Sequence, residues 1–243
     1  MQELQGKRAL VTGAAVRVGR AIALALGEAG CDVAVHYRTS SAEAERTAAE
    51  LRALGVRAPL VQGDQGLAPE AIVLEAAAAL GGLDLLVCSA SAFEQLPAES
   101  ISRAQFEAML AANLVGPFFL MQAAHPHLRA ARGSIVNLVD LCGTTQAWRG
   151  YAHYAASKAG LAQLTRQLAL EWAPEVRVNA VAPGTVLFPE SMPGEERARI
   201  ERRIPLGHAG TPEDVARAVL YLAAAPFVSG QVLAVDGGRS VAP

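Results

Sequence analysis

Short apolar runs alternate with longer helical stretches along the chain. Seven runs rich in β-branched residues, Leu and Ala are predicted to be strands: 8–12, 32–37, 56–62, 83–88, 134–139, 176–181 and 231–235. Ala- and Leu-rich stretches between them are predicted to be helices: 19–29, 41–54, 69–80, 102–131, 151–173 and 212–224. This alternation predicts an α/β fold with a doubly wound parallel sheet of about seven strands, flanked by helices on both faces.

The pattern continues without a break that would divide the chain. We find no internal repeat, low-complexity tract or linker, so residues 1–243 are predicted to form a single domain. One segment, 185–205, mixes Pro, Glu and Arg without a core pattern and is predicted to be a substrate loop that covers the site.

Composition and charge give no indication of a nucleic-acid, membrane or metal partner. A net charge of −2 gives no reason to expect nucleic acid or an anionic membrane. Three widely spaced cysteines and an N-terminus without an apolar signal core favour a cytoplasmic protein. Residues 108–128 lack charges over a membrane-length span, but they include Asn113 and two histidines, so we interpret them as a helix in a core or interface. The histidines show no metal spacing, and no metal site is predicted.

Glycine and polar residues gather just past the predicted strands. The carboxyl ends of parallel strands form the ligand crevice of an open sheet, so these residues are predicted to share one site. They are Thr12, Gly13, 36–40, Asp64, 89–91, Asp140 and 183–185.

The first of these turns has the character of a dinucleotide site on a Rossmann-type sheet. Gly13 permits a tight turn, and Gly19 permits close packing of a helix whose N-terminus can receive a pyrophosphate. The second strand is followed by no acid before Glu43, so Arg38, Ser40 and Arg17 are predicted to surround a 2′-phosphate. This favours NADPH over NADH, although Arg38 alone could belong to a solvated loop. Asp64 could meet the adenine amino group or cap the following turn.

A candidate proton-transfer pair lies on the helix after the fifth strand. Tyr154 and Lys158 are four residues apart and so share one helix face. A nearby positive charge favours the ionised phenol, which predicts that Tyr154 exchanges protons near neutral pH. The alternative is an ordinary helix surface.

Taken together, the chain resembles the classical short-chain dehydrogenases/reductases over essentially its whole length. The resemblance rests on the 12–19 turn, Asn113, 154–158, 177–184 and 229–238. It implies that Tyr154 is the acid/base, that Lys158 holds the nicotinamide ribose and lowers the Tyr154 pKa, and that Asn113 completes a proton relay. The cofactor contacts predicted from the turn chemistry and this resemblance are Gly13, Arg17, Val18, Gly19, His36, Tyr37, Arg38, Ser40, Asp64, Ser89, Ala90, Ser91, Tyr154, Lys158, Pro183, Gly184, Thr185 and Val186.

The departures from that family pattern indicate a branch. Asp140 stands where the family normally has Ser, and an ionised carboxylate accepts hydrogen bonds but does not donate them. With Arg17, 36–37, 90–91 and Phe93, it resembles the pteridine reductase branch. That resemblance implies that Phe93 stacks a flat pterin, that Ser91 bonds pterin and cofactor, and that Asp140 works with Tyr154 in protonation. Alternatively, Phe93 is a core aromatic, Ser91 a turn residue and Asp140 a cap. Cys88 and Ser89 depart from the paired asparagines of that branch.

The sequence therefore predicts an NADPH-dependent reductase that transfers hydride to a pterin-like substrate, such as a dihydropteridine or dihydrofolate. A 3-oxoacyl or small-ketone reductase is the alternative, and a non-catalytic NADPH sensor is disfavoured because the Tyr154–Lys158 pair is intact. By resemblance, helices 102–131 and 151–173 pair across subunits, which predicts a homotetramer.

Overall fold

A computed structural model describes residues 2–189 and 192–242. Within them, seven parallel strands form one sheet in the order β3-β2-β1-β4-β5-β6-β7, which confirms the predicted fold class. The order reverses between β1 and β4, and the strands on either side of that point end at the predicted crevice. The strands are β1 Arg8–Val11, β2 Asp32–Tyr37, β3 Leu60–Gln62, β4 Leu85–Cys88, β5 Ser134–Leu138, β6 Arg177–Pro183 and β7 Val232–Val235.

Helices cover both faces of the sheet because each has an apolar side to bury. Ile22, Leu51 and Val219 belong to one core, and Ile72 and Leu120 belong to the other. The helices are α1 Arg17–Glu28, α2 Ser41–Ala53, α3 Pro69–Leu80, α4 Arg103–Leu110, α5 Gly116–Ala131, α6 Ala152–Glu171, α7 Gly194–Glu201 and α8 Pro212–Ala224.

The single helix predicted over 102–131 is interrupted. A π turn at Ala111–Val115 separates α4 from α5. The side chain of Gln65 donates to the Ala112 carbonyl at 2.7 Å, and Pro117 carries no N–H for the carbonyl four residues before it. The wider turn therefore has two causes, the Gln65 side chain and Pro117, and it contains Asn113. π turns of this kind are frequent at functional sites.

One face of the membrane-length stretch packs into the core. Arg103–Ala131 is long and apolar enough by composition to cross a membrane. However, Leu120, Met121 and Leu128 are fully buried against the sheet. The interpretation as a core helix accounts for its apolar character.

The 185–205 segment is only partly a loop. Gly194–Glu201 forms α7, whose first turn carries Glu195 and Glu196 beside the helix N-terminus. Glu190 and Ser191, within the predicted substrate loop, lie outside the described residues.

Candidate active site

Tyr154 and Asp140 meet at the carboxyl end of β5. The Tyr154 hydroxyl donates to Asp140 Oδ2 at 2.9 Å. The other carboxylate oxygen, Oδ1, accepts from the Cys142 backbone N–H at 2.7 Å. The loop after β5 thus orients Asp140, as the cap interpretation expected, while the free face of the carboxylate holds the phenol. The Asp140 side chain therefore caps the loop after β5 and also contacts the Tyr154 hydroxyl.

Lys158 lies one helical turn beyond Tyr154. Its side chain is buried, and Nζ donates to the Leu138 carbonyl at 2.8 Å. Nζ is 5.8 Å from the centroid of the Tyr154 ring. The ammonium therefore lies near the Tyr154 ring. It has three N–H donors, of which the Leu138 carbonyl takes one, so others are left for a further acceptor.

The expectation that Lys158 brings the Tyr154 pKa toward neutrality is wrong for the groups that the chain itself supplies. Burial raises the pKa of Tyr154 well above its usual range, and the charge of Asp140 raises it further. Burial likewise raises the pKa of Asp140, which hydrogen bonds from Cys142 and Tyr154 partly offset. Burial is the largest cause; in addition, the phenol contacts the Asp140 carboxylate directly, whereas the Lys158 ammonium donates to the Leu138 carbonyl.

Lys158 itself predicts a pH dependence. Burial lowers its pKa to about 8, below the usual value of roughly 10.4. The ammonium is lost as pH rises through about 8, so we expect kcat/KM to fall above that pH. Stability should move the opposite way: a buried charge destabilises the fold below pH 8, and this penalty disappears as pH rises from about 8 to about 10.4. A pH profile of kcat/KM and of the unfolding midpoint tests both.

The other lysine provides the control. Lys7 lies 3.5 Å from Asp84, near the amino ends of β1 and β4 and away from the crevice. Lys7→Met should leave the limb near pH 8 in place. A kcat/KM profile that is flat through this range contradicts the prediction.

Asn113 organises the segment after β4. Its Nδ2 donates to the Ala92 carbonyl at 2.9 Å and to Ser157 Oγ at 3.2 Å. Its Oδ1 accepts from the Ala92 N–H at 2.8 Å and from Ser91 Oγ at 3.2 Å. The side chain therefore positions the residues that precede Phe93, and its predicted part in a proton relay stays a prediction.

Aromatic rings form a wall from Tyr154 outward. Phe93 packs edge-on against Tyr154 and stacks on Tyr151, with centroids 4.8 Å apart in each case. Trp148 continues the wall, 6.0 Å from Tyr151. Because Phe93 is 57% exposed, its interpretation as a core aromatic is wrong. It presents a ring face to the crevice.

The turn after β1 leaves no room for a side chain at either of its two glycines. A Cβ on Gly19 would lie 2.1 Å from the Gly13 carbonyl oxygen, and one on Gly13 would lie 3.0 Å from Ala90 Cα. Thr12 Oγ1 accepts from the N–H groups of Ser89 and Ala90, each at 3.0 Å. The first and fourth strand ends are therefore joined at the floor of the crevice.

His36 holds this turn in place through hydrogen bonds from its buried ring. Its Nδ1 accepts from the Gly13 N–H at 3.2 Å, which leaves Nε2 to donate to the Gly63 carbonyl at 3.1 Å. Burial lowers its pKa to about 4, so the ring is neutral. The predicted contact of the His36 side chain with the cofactor is corrected to a positioning role, because the ring is buried and both nitrogens are engaged.

Arg17 has a backbone conformation that favours glycine. Its φ is 55°, in the left-handed region, and its side chain is exposed at the start of α1. Within the described residues no side chain caps this helix end, so its first N–H groups are left for a ligand. A cradle without side chains, a free helix N-terminus and an added cation together fit a dinucleotide phosphate.

The ends of β2 and β3 lie side by side. Arg38 Nη1 is 3.4 Å from Asp64 Oδ2, and the Arg38 side chain is 68% exposed. Asp64 Oδ1 accepts from the Gly66 N–H at 2.8 Å, so the cap interpretation of Asp64 is confirmed. Val18, Tyr37 and Ser40 are half-buried at the same edge.

The ends of β6 and β7 complete the crevice. Gly184 is held by its N–H bond to the Val235 carbonyl at 2.9 Å, and a Cβ there would lie 2.8 Å from Asp236 Cα. Thr185 Oγ1 accepts from Arg239 Nη1 at 2.6 Å. Arg239 was not among the predicted site residues, although a basic residue just past the last strand was a signal. Pro183 ends β6, and Val186 packs against the first core.

Comparison with known proteins agrees with this geometry. A family model described as enoyl-(acyl carrier protein) reductase matches residues 13–240. A 3β-hydroxysteroid dehydrogenase from Eggerthella lenta is 36% identical, over 99% of this chain and 96% of its own. A 3-oxoacyl-[acyl-carrier-protein] reductase from Staphylococcus aureus is 36% identical, over 96% and 97%.

The fold also matches those of solved structures. A solved short-chain dehydrogenase/reductase double mutant from Serratia marcescens has a TM-score of 0.92 at 31% identity, covering 98% of this chain and 99% of that one. The family model spans the glycine turn, Asp140, Tyr154, Lys158 and Thr185 alike. With its seven-stranded sheet and the Tyr154–Lys158 pair at the crevice, the chain belongs to the short-chain dehydrogenase/reductase family and is an oxidoreductase.

Proposed function

We propose that the protein is an NADPH-dependent reductase of a 3-oxoacyl or small-ketone substrate, which it converts to the alcohol. The observation that carries the proposal is the Tyr154 hydroxyl, held at 2.9 Å from Asp140 and one turn from the buried Lys158. Relatives at 36% identity named for a 3-hydroxy or a 3-oxo group support a carbonyl substrate.

The chain's own residues account for binding and for the proton. The cradle at 13–19, the 89–91 segment, Lys158 and 183–186 would hold NADPH, which supplies a hydride when bound. Tyr154 gives its proton to the substrate oxygen, and the Lys158 ammonium stabilises the phenolate that is left. Asp140, which accepts from the hydroxyl, orients it, and a proton from solvent restores the phenol once the alcohol has formed.

Cofactor preference is testable at Arg38. Arg38→Ala should weaken NADPH binding by on the order of 10- to 100-fold while leaving NADH binding unchanged, because a hydrogen bond to a charged group contributes about 1.5–3 kcal/mol. Dissociation constants of both cofactors, measured by nicotinamide fluorescence, check this. Arg46→Ala is the matched control, since Arg46 is exposed on α2 and pairs with Glu43 at 2.8 Å. Equal losses for the two cofactors contradict the prediction.

A pterin-like substrate is the second candidate, favoured by two observations. Phe93 offers an exposed ring beside Tyr154, suited to stacking a flat heterocycle. Asp140 replaces a hydroxyl by a carboxylate, which accepts from ring N–H groups when ionised. The relatives named above favour the ketone instead.

Rates of NADPH oxidation decide between the two. The purified protein is assayed with an acetoacetyl thioester, with dihydrobiopterin and with dihydrofolate, each repeated with Asp140→Ser. Ketone turnover that serine retains or improves supports the proposal. Turnover of the pterins alone, lost in Asp140→Ser, overturns it in favour of the second candidate.

We further propose a cytoplasmic homotetramer. An apolar groove of about 500 Å³ between α5 and α6 supports subunit pairing, and three free, buried cysteines suit a reducing compartment. The groove is lined by Leu114, Val115, Phe118, Phe119, Gly160, Gln163, Leu164 and Gln167. Light scattering tests the assembly: Phe119→Glu should yield smaller species, and a monomeric native protein contradicts it.

A further inference from the structure

Arg239 lies just past β7, at the same sheet edge as Tyr154. Its Nη1 donates to Thr185 Oγ1 at 2.6 Å, and its guanidinium carbon is 5.4 Å from the centroid of the Trp148 ring. Its backbone carbonyl accepts from Gln146 Nε2 at 2.8 Å. The loop after β5 and the segment after β6 therefore both hold this side chain in place.

The guanidinium has no carboxylate partner among the residues that the structure describes. Across residues 2–189 and 192–242, no Asp or Glu oxygen lies within 4.0 Å of Arg239 or of Arg203. Burial lowers the pKa of Arg239, and the positive charge of Arg203 adds to this. Partly buried charges are ordinarily paired. A partly buried guanidinium without a carboxylate partner among the described residues favours an anion beside it.

Neither of the two nearby acids, Asp236 and Asp140, forms an ion pair with Arg239. Asp236 accepts from the N–H groups of Gly238 and Ser240, at 2.9 and 2.6 Å. Asp140 accepts from Cys142 and Tyr154. Both carboxylates already have hydrogen-bond donors, so the fork of Arg239 keeps its capacity for a further oxyanion.

The aromatic wall connects Arg239 to the reacting end of the site. Trp148, which lies under the guanidinium, is followed by Tyr151 and Phe93, and Phe93 contacts Tyr154. A substrate that lies along this wall with its carbonyl at Tyr154 has its other end toward Arg239.

We propose that Arg239 binds an oxyanion carried by the substrate at the end remote from its carbonyl. The site then selects oxo acids, or oxo compounds with a phosphate, over neutral ketones of the same length. This rests on the proposed carbonyl reduction. It adds a chemical class that the Tyr154 site by itself does not specify.

The test compares charged and neutral substrates of matched length. The native protein is assayed with 4-oxopentanoate and 5-oxohexanoate against their methyl esters, and with dihydroxyacetone phosphate against dihydroxyacetone. We expect kcat/KM to favour one charged class by on the order of tenfold or more, the size of a hydrogen bond to a charged group. Which charged class is preferred distinguishes carboxylate from phosphate.

Arg239→Gln should remove this preference by raising KM for the charged substrate, with a much smaller change in kcat/KM for the neutral one. Arg202→Gln is the matched control, an exposed arginine in the same segment as Arg203. Equal kcat/KM for charged and neutral substrates in the native protein overturns the inference and leaves carbonyl reduction intact. An Arg239→Gln variant that loses NADPH affinity but keeps the preference also overturns it, since Arg239 then only positions Thr185. Failure to reduce any of these ketones and the acetoacetyl thioester as well overturns the proposed function together with the inference.

Discussion

Tyr154→Phe is expected to lower kcat by about 10²- to 10⁴-fold, the usual contribution of a positioned proton donor. The substitution removes the hydroxyl that donates to Asp140 at 2.9 Å and keeps the ring that packs edge-on against Phe93. NADPH affinity should change little, because Lys158 and the glycine cradle are untouched. Steady-state rates and cofactor titration separate the two effects.

Tyr151→Phe is the matched control on the same wall. Tyr151 stacks on Phe93 with an interplanar angle of 24°, and its ring survives the substitution. We expect less than a threefold change in kcat, about 0.65 kcal/mol. Similar losses in the two variants would place the proton donor elsewhere and contradict the mechanism.

Gly19→Ala is expected to abolish measurable NADPH binding and to destabilise the fold. The added Cβ would lie 2.1 Å from the Gly13 carbonyl oxygen, and backbone cannot move aside as a side-chain tip can. Forcing an extra methyl into a packed site typically costs about 1–3 kcal/mol of unfolding free energy. The displaced turn also carries the N-terminus of α1, where phosphate is expected.

Gly194→Ala provides the comparison, since a Cβ on Gly194 meets nothing within 4 Å. It should leave both NADPH affinity and the unfolding midpoint close to native. Chemical denaturation and fluorescence titration give the two quantities. If Gly19→Ala bound NADPH with native affinity, the cradle would not be the cofactor site.

Much of this architecture could be predicted from local patterns. The alternation of apolar runs with helical stretches determines a parallel sheet, and the carboxyl edge of that sheet gathers its ligand residues. Tyr154 and Lys158 share a face because of helix geometry alone. The Asp140–Tyr154 contact could be expected because Asp140 follows the fifth strand at the crevice and Tyr154 lies near the start of the helix that comes next.

Other features depended on partners distant in sequence. His36 follows the pattern of an exposed residue at a strand end, yet its ring is buried between Gly13 and Gly63, 27 residues beyond it. The π turn at Asn113 needed the Gln65 amide, 47 residues away from the carbonyl it bonds. The direction of the Tyr154 pKa shift depended first on burial of the phenol and then on its contact with Asp140, and no spacing rule states either.

The fate of the transferred hydrogen tests carbonyl reduction by NADPH most directly. The native protein is incubated with an acetoacetyl thioester and NADPH deuterated at the transferring position of C4, and the product is analysed by mass spectrometry and NMR. Carbonyl reduction predicts one deuterium on the carbon that bears the new hydroxyl, and almost none in the same time with Tyr154→Phe. Oxidation of NADPH without deuterium on that carbon, or transfer only to dihydrobiopterin supplied in parallel, would contradict the account.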